Sequence, residues 1–298
     1  MIYAYPKYQN TAFGQGGDLV WSTLNAAQSH TFAVRLESGQ IEIYKNFEKI
    51  KAFKTEGGCD GIFGGRLLAI RSKESITFYD WDSFGVVRRI DLASNLKHVF
   101  WSEDSSKVTL ALEETLYLLD FNGDKVDQAI SQGMLDQEDN EDGLEEAFDF
   151  VEEFNEQVQS GLWVSADCFT FINARGSISY MIGGKIMKLG NADKKHHILG
   201  YDGKQNRLYL VDKNLNIYAH RLLLSVMNFQ VCVLKNELDR SKTFLPTIPE
   251  SYFGKLAKFL ETNGQKEMAF ELTPDLDHKF ELAIALNNVE VGKRIAEE

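Results

Sequence analysis

An acidic segment in the middle of the chain comes close to a calcium-binding loop. Glu138, Asn140, Asp142, Gly143 and Asp149 fall at loop positions 1, 3, 5, 6 and 12, where oxygen ligands and a turn glycine are needed. The match fails at both ends, because such a loop begins with Asp and closes with a Glu long enough for bidentate binding. We therefore expect a solvated acidic loop rather than a calcium site.

The same segment carries apolar residues at helical spacing. They recur every three or four residues and so share one helical face: Leu144, Ala147, Phe148, Val151 and Phe154. This pattern predicts a helix from Leu144 to about Val158, with its acidic face in solvent and its apolar face packed on the rest of the fold. We treat residues from about 131 to 160 as an acidic helical insertion.

The histidines show no ligand pattern. His196 and His197 are adjacent, and adjacent residues of a strand point to opposite faces, so their imidazoles do not converge on one ion. We expect an exposed pair in a loop. The remaining histidines have no Cys or carboxylate at ligand spacing: His30, His98, His220 and His278. We expect no metal site and no metal cofactor.

Motifs of catalysis and phosphate binding are missing from the sequence. It contains no G-x-S-x-G elbow, no phosphate-binding P-loop and no G-x-G-x-x-G followed by a helix. The glycines of Gly57–Gly65 precede a strand rather than a helix N-terminus, so they suit turns better than a phosphate. The pairs Arg88-Arg89 and Lys194-Lys195 are too short for a nucleic-acid surface. We expect no catalytic or cofactor-binding residue, no small-molecule substrate and no nucleic-acid partner; partner-binding residues are not assigned.

Composition points to a globular protein of a reducing compartment. The chain has 298 residues, a net charge of −12 and 44% hydrophobic residues. Cys59, Cys168 and Cys232 are odd in number and form no C-x-x-C pair, which argues against a disulfide framework. No apolar stretch reaches the ~20 residues of a membrane helix, and the start lacks the features of a signal peptide. We expect a cytoplasmic location.

Strand-turn-strand units repeat along the first two thirds of the chain. Five of them start at residues 41, 76, 115, 177 and 216, and the steps of 35 and 39 residues are typical of propeller blades. The longer step contains the acidic insertion. Intervening segments supply two further strands per unit, so each unit has four strands. Five units indicate an incomplete β-propeller, and we expect an open ring with apolar faces exposed near the chain start.

Helical periodicity replaces the strand pattern from about Arg221. Apolar residues share one face in the first helix: Leu222, Val226, Phe229 and Val233. A second helix follows Pro249 and stops at Gly264, and shorter helices follow. We expect a partial β-propeller over residues 1–220 and the start of an α-solenoid over residues 221–298. The fold class is mainly β with α, and the absence of a flexible linker predicts that both parts move together.

Several ordered motifs resemble the beta-prime subunit family of coatomer, the COPI vesicle coat. The most specific are KHVFWSED (Lys97 to Asp104), NRLYLVDKNLNI (Asn206 to Ile217) and FLPTIPESYFGKLAKFLETNG (Phe244 to Gly264). IYKNFEKIKAF, FYDWD, EDGLEEAF and GLWV are similar to the same family in the same order. The repeat's usual Trp-Asp dipeptide occurs once, at Trp81-Asp82.

The resemblance implies a scaffold of a vesicle coat rather than an enzyme. It implies two WD-type propellers and a solenoid that joins the alpha subunit, in a coat of Golgi-to-ER retrograde and intra-Golgi vesicles. The family's first propeller, which reads dilysine signals on cargo tails, would precede Met1. The resemblance further implies other coat subunits as partners and a peripheral position on Golgi and COPI vesicle membranes, through the coat.

Two other functions compete with the coat scaffold. A propeller enzyme would need titratable groups gathered in the central channel, whereas the residues expected there are mostly Ile, Leu and Val. A second alternative is a peptide- or cargo-tail-binding propeller module of another trafficking complex. We also expect the helical end to leave Phe280, Ile284 and Ile295 partly uncovered, because a solenoid repeat buries its face against the next one.

Overall fold

The computed structural model describes residues 2–3, 10–11, 18–24, 30–55, 57–136, 142–192, 195–288, 290 and 292–294. The chain divides into two compact units. The first comprises Met1–Ala166 with Asn173–Arg175, and the second comprises Asp167–Ile172 with Gly176–Glu298.

The first unit consists mainly of antiparallel sheets whose strands pair in chain order. A short pair, β1 (Ile2–Tyr3) and β2 (Asn10–Thr11), precedes three sheets of four strands each. The first sheet comprises β3 (Asp18–Trp21), β4 (Thr31–Arg35), β5 (Ile41–Lys45) and β6 (Glu48–Phe53). The second comprises β7 (Gly61–Phe63), β8 (Leu68–Arg71), β9 (Ser75–Tyr79) and β10 (Val86–Asp91). The third comprises β11 (His98–Trp101), β12 (Lys107–Ala111), β13 (Leu116–Phe121) and β14 (Phe148–Phe154), and β15 (Val158–Ser165) follows.

Burial differs sharply between the middle and outer strands of these sheets. The middle strands are rich in β-branched and aromatic residues and are mostly buried, whereas β6 and β14 are exposed along nearly their whole length. The main core of this unit lies on the second and third sheets and includes Phe78, Val108 and Leu110. Leu19 and Trp21 on β3 are 40% and 42% exposed, so apolar side chains are uncovered near the chain start, as expected.

In each four-stranded sheet of the first unit, the last strand, which we call the outer strand, contains one β-bulge at an equivalent register position. The register skips one residue on the outer strand: Ile50 in β6, Val87 in β10 and Val151 in β14. An extra residue of this kind leaves the ladder and increases the local twist. Each four-stranded sheet therefore repeats the bulge as well as the strand order. Residues at equivalent register positions of β6, β10 and β14 can be compared directly.

A helical excursion joins β13 to β14. It begins with α1 (Gly123–Ser131), whose Val126 and Ala129 are buried in the core of the first unit. Two single 3-10 turns follow, at Met134–Asp136 and Glu145–Ala147. Helix α1 therefore packs the excursion against the core of the first unit. This helix lies earlier in the sequence than the predicted one.

The predicted helix from Leu144 to about Val158 is wrong. Phe148–Phe154 forms strand β14 and pairs antiparallel with β13, and β15 starts at Val158. The spacing of the apolar residues fits a helix, but the segment's Phe and Val residues also favour a strand. The outer position beside β13 decides between the two, because pairing there satisfies the backbone hydrogen bonds of the buried third strand.

A short part of the excursion pairs with the neighbouring sheet. We call Asp142–Leu144 the covering segment. The Leu144 N–H donates to the Val87 carbonyl at 2.7 Å, the Arg89 N–H donates to the Asp142 carbonyl at 2.9 Å, and Gly143 forms an antiparallel bridge with Arg88. The covering segment therefore occupies the outer edge of β10.

The second unit contains strands followed by helices. Strands β16 (Cys168–Asn173), β17 (Ser177–Ile182) and β18 (Lys185–Asn191) pair in that order. A three-stranded sheet comprises β19 (His196–Asp202), β20 (Arg207–Asp212) and β21 (Ile217–Arg221). The helices are α2 (Leu224–Leu234), α3 (Leu238–Lys242), α4 (Phe253–Thr262), α5 (Lys266–Leu272) and α6 (Leu276–Ala285).

The predicted helices of the second unit are confirmed. Leu222, Val226, Phe229 and Val233 are all buried, although α2 begins at Leu224 and leaves Leu222 outside the helix. Gly264 follows α4 with a φ of 80°, a conformation that glycine adopts without steric cost and that commonly ends a helix. The Asp275 side chain accepts a hydrogen bond from the Asp277 N–H and caps α6.

The fold class predicted from the repeats is confirmed. The first, second and fourth strand-turn-strand units correspond to β5–β6, β9–β10 and β17–β18, and the fifth corresponds to β21. The third unit, which starts at Thr115, is only partly right: β13 is its first strand, but Gly123–Ser131 forms α1 instead of a second strand. Successive antiparallel sheets of four strands, followed by short amphipathic helices, are the features of an incomplete β-propeller that leads into an α-solenoid.

Candidate functional site

In the second unit α2 packs against β16, β17 and β18, and we call this contact the junction. Met227 and Phe229 of α2 are 2% and 0% exposed. The Met227 Sδ lies 3.3 Å from the Sγ of Cys168 on β16, and Met187 on β18 packs against the cluster that contains Phe229. These buried apolar contacts hold the first helix directly on the strands.

A small polar network lies within the junction. The Tyr180 hydroxyl on β17 donates to Gln230 Oε1 on α2 at 2.8 Å. The Gln230 Nε2 donates to Met187 Sδ at 3.1 Å. Tyr180 and Gln230 are both nearly fully buried, so each satisfies a polar group that water does not reach. The network fixes the position of α2 along the strands, because a shifted helix would leave both groups unpaired.

Burial gives the junction a pH-dependent stability. It raises the pKa of Tyr180 from 10.0 to about 12. A raised folded-state pKa contributes stability that is present below pH ~10 and is lost as the pH rises toward ~12. We expect Tyr180→Phe to lower the unfolding free energy by about 1–3 kcal/mol at pH 8, because Gln230 Oε1 loses its donor.

The same variant should lose less stability than the unchanged chain between pH 10 and 12. The measurement is a series of urea unfolding curves over this range. Burial also raises the pKa values of Tyr44 and Tyr201 to about 12, so the comparison between the two proteins isolates Tyr180. Parallel pH profiles would contradict the assignment.

Polar contacts at the rim add to the junction. The Lys235 Nζ after α2 lies 2.7 Å from Asp167 Oδ2, and Lys185 on β18 donates to Asn263 after α4. Gly183 has a φ of 48°, and a Cβ at this position would lie 2.7 Å from Leu234 Cδ1. A side chain at Gly183 would therefore be strained by this φ and would have to displace the end of the Leu234 side chain.

The helices leave apolar side chains uncovered at α6. Leu276 and Ile284 are 53% and 57% exposed, and Phe280 is half-buried. This confirms the expectation for Phe280 and Ile284, whereas Ile295 lies outside the described residues. Exposed apolar residues on the last described helix are what a helical repeat presents to a following repeat.

The expectation of an exposed loop pair at His196-His197 is wrong, because both residues belong to β19 and point to opposite faces. His196 is buried and His197 is exposed, and the His196 ring packs edge-on against Tyr218 at 4.8 Å. Nearby, hydrogen bonds from Asn216 and other donors lower the pKa of Asp212 to about 2, and Tyr218 is one of these donors. Asp212 thereby closes the turn between β20 and β21.

Metal-ligand groups do not gather in the part of the chain that the structure describes. No three side chains of His, Cys, Asp or Glu there lie together as an ion would require. Of the calcium-loop residues, Glu138 and Asn140 lie outside the described residues. The Asp149 carboxylate accepts a hydrogen bond from Asn122 Nδ2 at 2.8 Å, and Asp142 belongs to the covering segment.

Two glycines of the run Gly57–Gly65 allow close packing between sheets. A Cβ at Gly64 would lie 2.2 Å from the Trp21 carbonyl oxygen, and one at Gly65 would lie 2.1 Å from Trp101 Cδ1. Strand β7 lies within this run, and the strand predicted to follow the run is β8. Close packing between sheets, rather than a ligand, accounts for Gly64 and Gly65, whereas Gly58 has the positive φ of 77° that a turn requires.

All three cysteines are free thiols. Burial raises the pKa of Cys59, Cys168 and Cys232, and that of Cys168 reaches about 12. A thiol with a raised pKa is a poor nucleophile at neutral pH. Within the described ranges, no helix is sufficiently long and apolar to cross a lipid bilayer.

Two features of this site were not predicted from the sequence. The Tyr180–Gln230 network joins residues 50 positions apart, and the covering segment was assigned to a loop before a helix. For the first, Gln230 within an otherwise apolar helix was the available signal. Asp142-Gly143 followed by Leu144 was the signal for the second, because Gly between polar and apolar residues often marks a turn into a strand.

Comparisons with known proteins agree with this architecture. The family described as COPA/B second beta-propeller matches residues 1–212, and the family described as COPA/B TPR domain matches residues 229–298. Among solved structures, Kluyveromyces lactis Hsv2 superposes with a TM-score of 0.46 at 11% identity, covering 69% of this chain and 61% of that chain.

Curated relatives extend the match to the whole chain. Coatomer subunit beta′ of Homo sapiens is 36% identical over 300 residues, which cover 100% of this chain and 32% of that protein. Coatomer subunit beta′-3 of Arabidopsis thaliana is 36% identical over 299 residues, with the same coverage. The chain thus spans about a third of the length of these relatives. The chain therefore belongs to the COPA/B family of coatomer subunits, as the part that contains the second β-propeller and the TPR domain.

Proposed function

We propose that the chain is a structural segment of a COPI vesicle coat that acts in Golgi-to-ER retrograde and intra-Golgi transport. The observation that carries this proposal is the junction, where buried contacts join β16 and β18 directly to the first helix. Only Leu222 and Leu223, both buried, separate β21 from α2. A scaffold needs such a joint, because it must keep the spacing between its assembly surfaces.

The proposed division of labour follows the change of secondary structure. Residues 1–220 form a partial second β-propeller, and residues 221–298 form the start of the α-solenoid. The matched families are structural and are not known as enzymes. We accordingly propose no catalytic residue, no metal and no cofactor for this chain.

The proposed partners are the alpha subunit, reached through the downstream solenoid, and other coat subunits. Support comes from α6, whose exposed Leu276 and Ile284 suit the stacking of a further helical repeat. The proposed location is the cytoplasm, with peripheral association on Golgi and COPI vesicle membranes through the coat. Nucleic acid and small-molecule substrates are not among the proposed ligands.

A pull-down with the alpha subunit tests the proposal. We expect Met1–Glu298 alone to fail to retain the alpha subunit, and a chain extended by the downstream helices of a relative to retain it. The reason is that the helices that would contact the partner stack beyond α6. Tight binding by Met1–Glu298 alone would show that the interface lies within this chain. Failure of the extended chain to bind any coat subunit would contradict the scaffold function itself.

A further inference from the structure

The three bulged residues of the outer strands differ greatly in burial. Val87 on β10 is 0% exposed, whereas Ile50 on β6 and Val151 on β14 are 47% and 45% exposed. All three are β-branched apolar residues at equivalent register positions. The sheets themselves are alike in strand number and order, so the difference arises from what lies outside them.

The covering segment accounts for the burial of Val87 together with the 3-10 turns at Met134–Asp136 and Glu145–Ala147, which also contact β10. It pairs along β10 through the Val87 carbonyl and the Arg89 N–H, and Leu144 packs against the core that contains Val87. The equivalent groups on β6 are the Ile50 carbonyl and the Ala52 N–H, two positions apart as on β10. Because β6 is the last strand of its sheet, these groups face the open edge.

Charge distinguishes the two exposed edges. On β10, Arg88 and Arg89 lie beside the acidic covering segment. The position equivalent to Arg88 is Lys51 on β6 but Glu152 on β14. An acidic segment would therefore be attracted by Lys51 on β6 and repelled by Glu152 on β14.

The two lysines of β6 contact neighbouring side chains of the first unit. The Lys51 Nζ lies 4.4 Å from the ring centroid of Phe84, and the Lys49 Nζ lies 3.1 Å from Glu42 Oε1. Both side chains are exposed. Lys51 is thus positioned by an aromatic ring, which leaves its ammonium group available to a carboxylate.

We propose that the outer edge of β6 is a docking site for an extended acidic segment of a partner protein, which binds by strand addition as the covering segment binds β10. The partner segment carries an acidic residue, a glycine and an apolar residue in succession. The glycine is required because a Cβ at Gly143 would lie 2.4 Å from the Val87 carbonyl oxygen. The apolar residue covers Ile50 as Leu144 helps to cover Val87, and backbone pairing provides the register.

The test uses a fluorescent peptide with the sequence of residues 137–146, QEDNEDGLEE, added to the purified 298-residue chain. We expect saturable binding by fluorescence anisotropy and slower hydrogen exchange at the Ala52 amide. Lys49→Glu combined with Lys51→Glu should weaken binding by about tenfold or more, since like charges then face each other. Val151→Asp, an equivalent exposed bulge on β14, is the matched control and should leave the affinity unchanged.

Three results would overturn the proposal. The first is the absence of saturable binding at millimolar peptide. The second is equal affinity for the unchanged chain and the lysine variant. The third is binding without protection of the Ala52 amide, which would place the peptide elsewhere. A peptide with lysines in place of its acidic residues should not bind β6, and its retention there would count against charge recognition.

Discussion

Phe229→Ala should lower the free energy of unfolding of the second unit by about 3–5 kcal/mol. Phe229 lies on α2, is 0% exposed and belongs to the cluster that joins the helices to Met187 on β18. Its truncation removes apolar contacts and leaves a cavity that the surrounding strands and helices fill incompletely. The measurement is urea unfolding followed by the helical circular dichroism signal, with limited proteolysis near residues 222 and 223.

Leu276→Ala is the matched control for this prediction. Leu276 is a large apolar residue at the start of α6 and is 53% exposed. Its truncation should change the unfolding free energy by about 0.5 kcal/mol or less. Equal effects of the two variants would show that the junction does not hold the helices on the strands, and would also weaken the proposed scaffold function.

Gly143→Ala should release the covering segment from β10, at a cost of about 3 kcal/mol in stability. Gly143 has a φ of 73°, and its Cβ would lie 2.4 Å from the Val87 carbonyl oxygen, which is backbone and moves little. The two hydrogen bonds to Val87 and Arg89 would be lost, and Val87 would be exposed. Hydrogen exchange of the Arg89 amide should become faster, together with a lower urea midpoint.

Gly39→Ala separates backbone strain from the steric clash. Gly39 has a φ of 74°, but nothing lies within 4 Å of a Cβ at this position. This variant should therefore cost about 1–2 kcal/mol, the penalty of a left-handed alanine alone. Unchanged exchange at Arg89 in Gly143→Ala would contradict the covering role, and it would remove the internal precedent for docking on β6.

The repeating strands and the helices were predictable from local pattern. Strand-turn-strand units at regular spacing predicted the sheets, because alternation and turn chemistry act within a few residues. The same applies to α4, whose apolar face and Gly264 are both local signals. The free thiols were likewise expected from the number and spacing of the cysteines.

The segment after Leu144 shows where local pattern was insufficient. Its apolar spacing suits a helix and its residue types suit a strand, so both conformations are compatible with the sequence alone. The unpaired outer side of β13 decides the outcome, because β14 there gains a full ladder of hydrogen bonds. A partner strand distant in sequence is a tertiary fact, which no window of residues contains.

Composition, periodicity and ordered motifs by themselves determined the fold class, the family and the lack of a recognisable catalytic motif in this chain. Tertiary structure alone decided which outer edge is covered, which bulged residue is buried and how Tyr180 meets Gln230. The physical reason is that periodicity reports which face of an element is apolar, whereas burial and hydrogen bonding depend on what packs against that face.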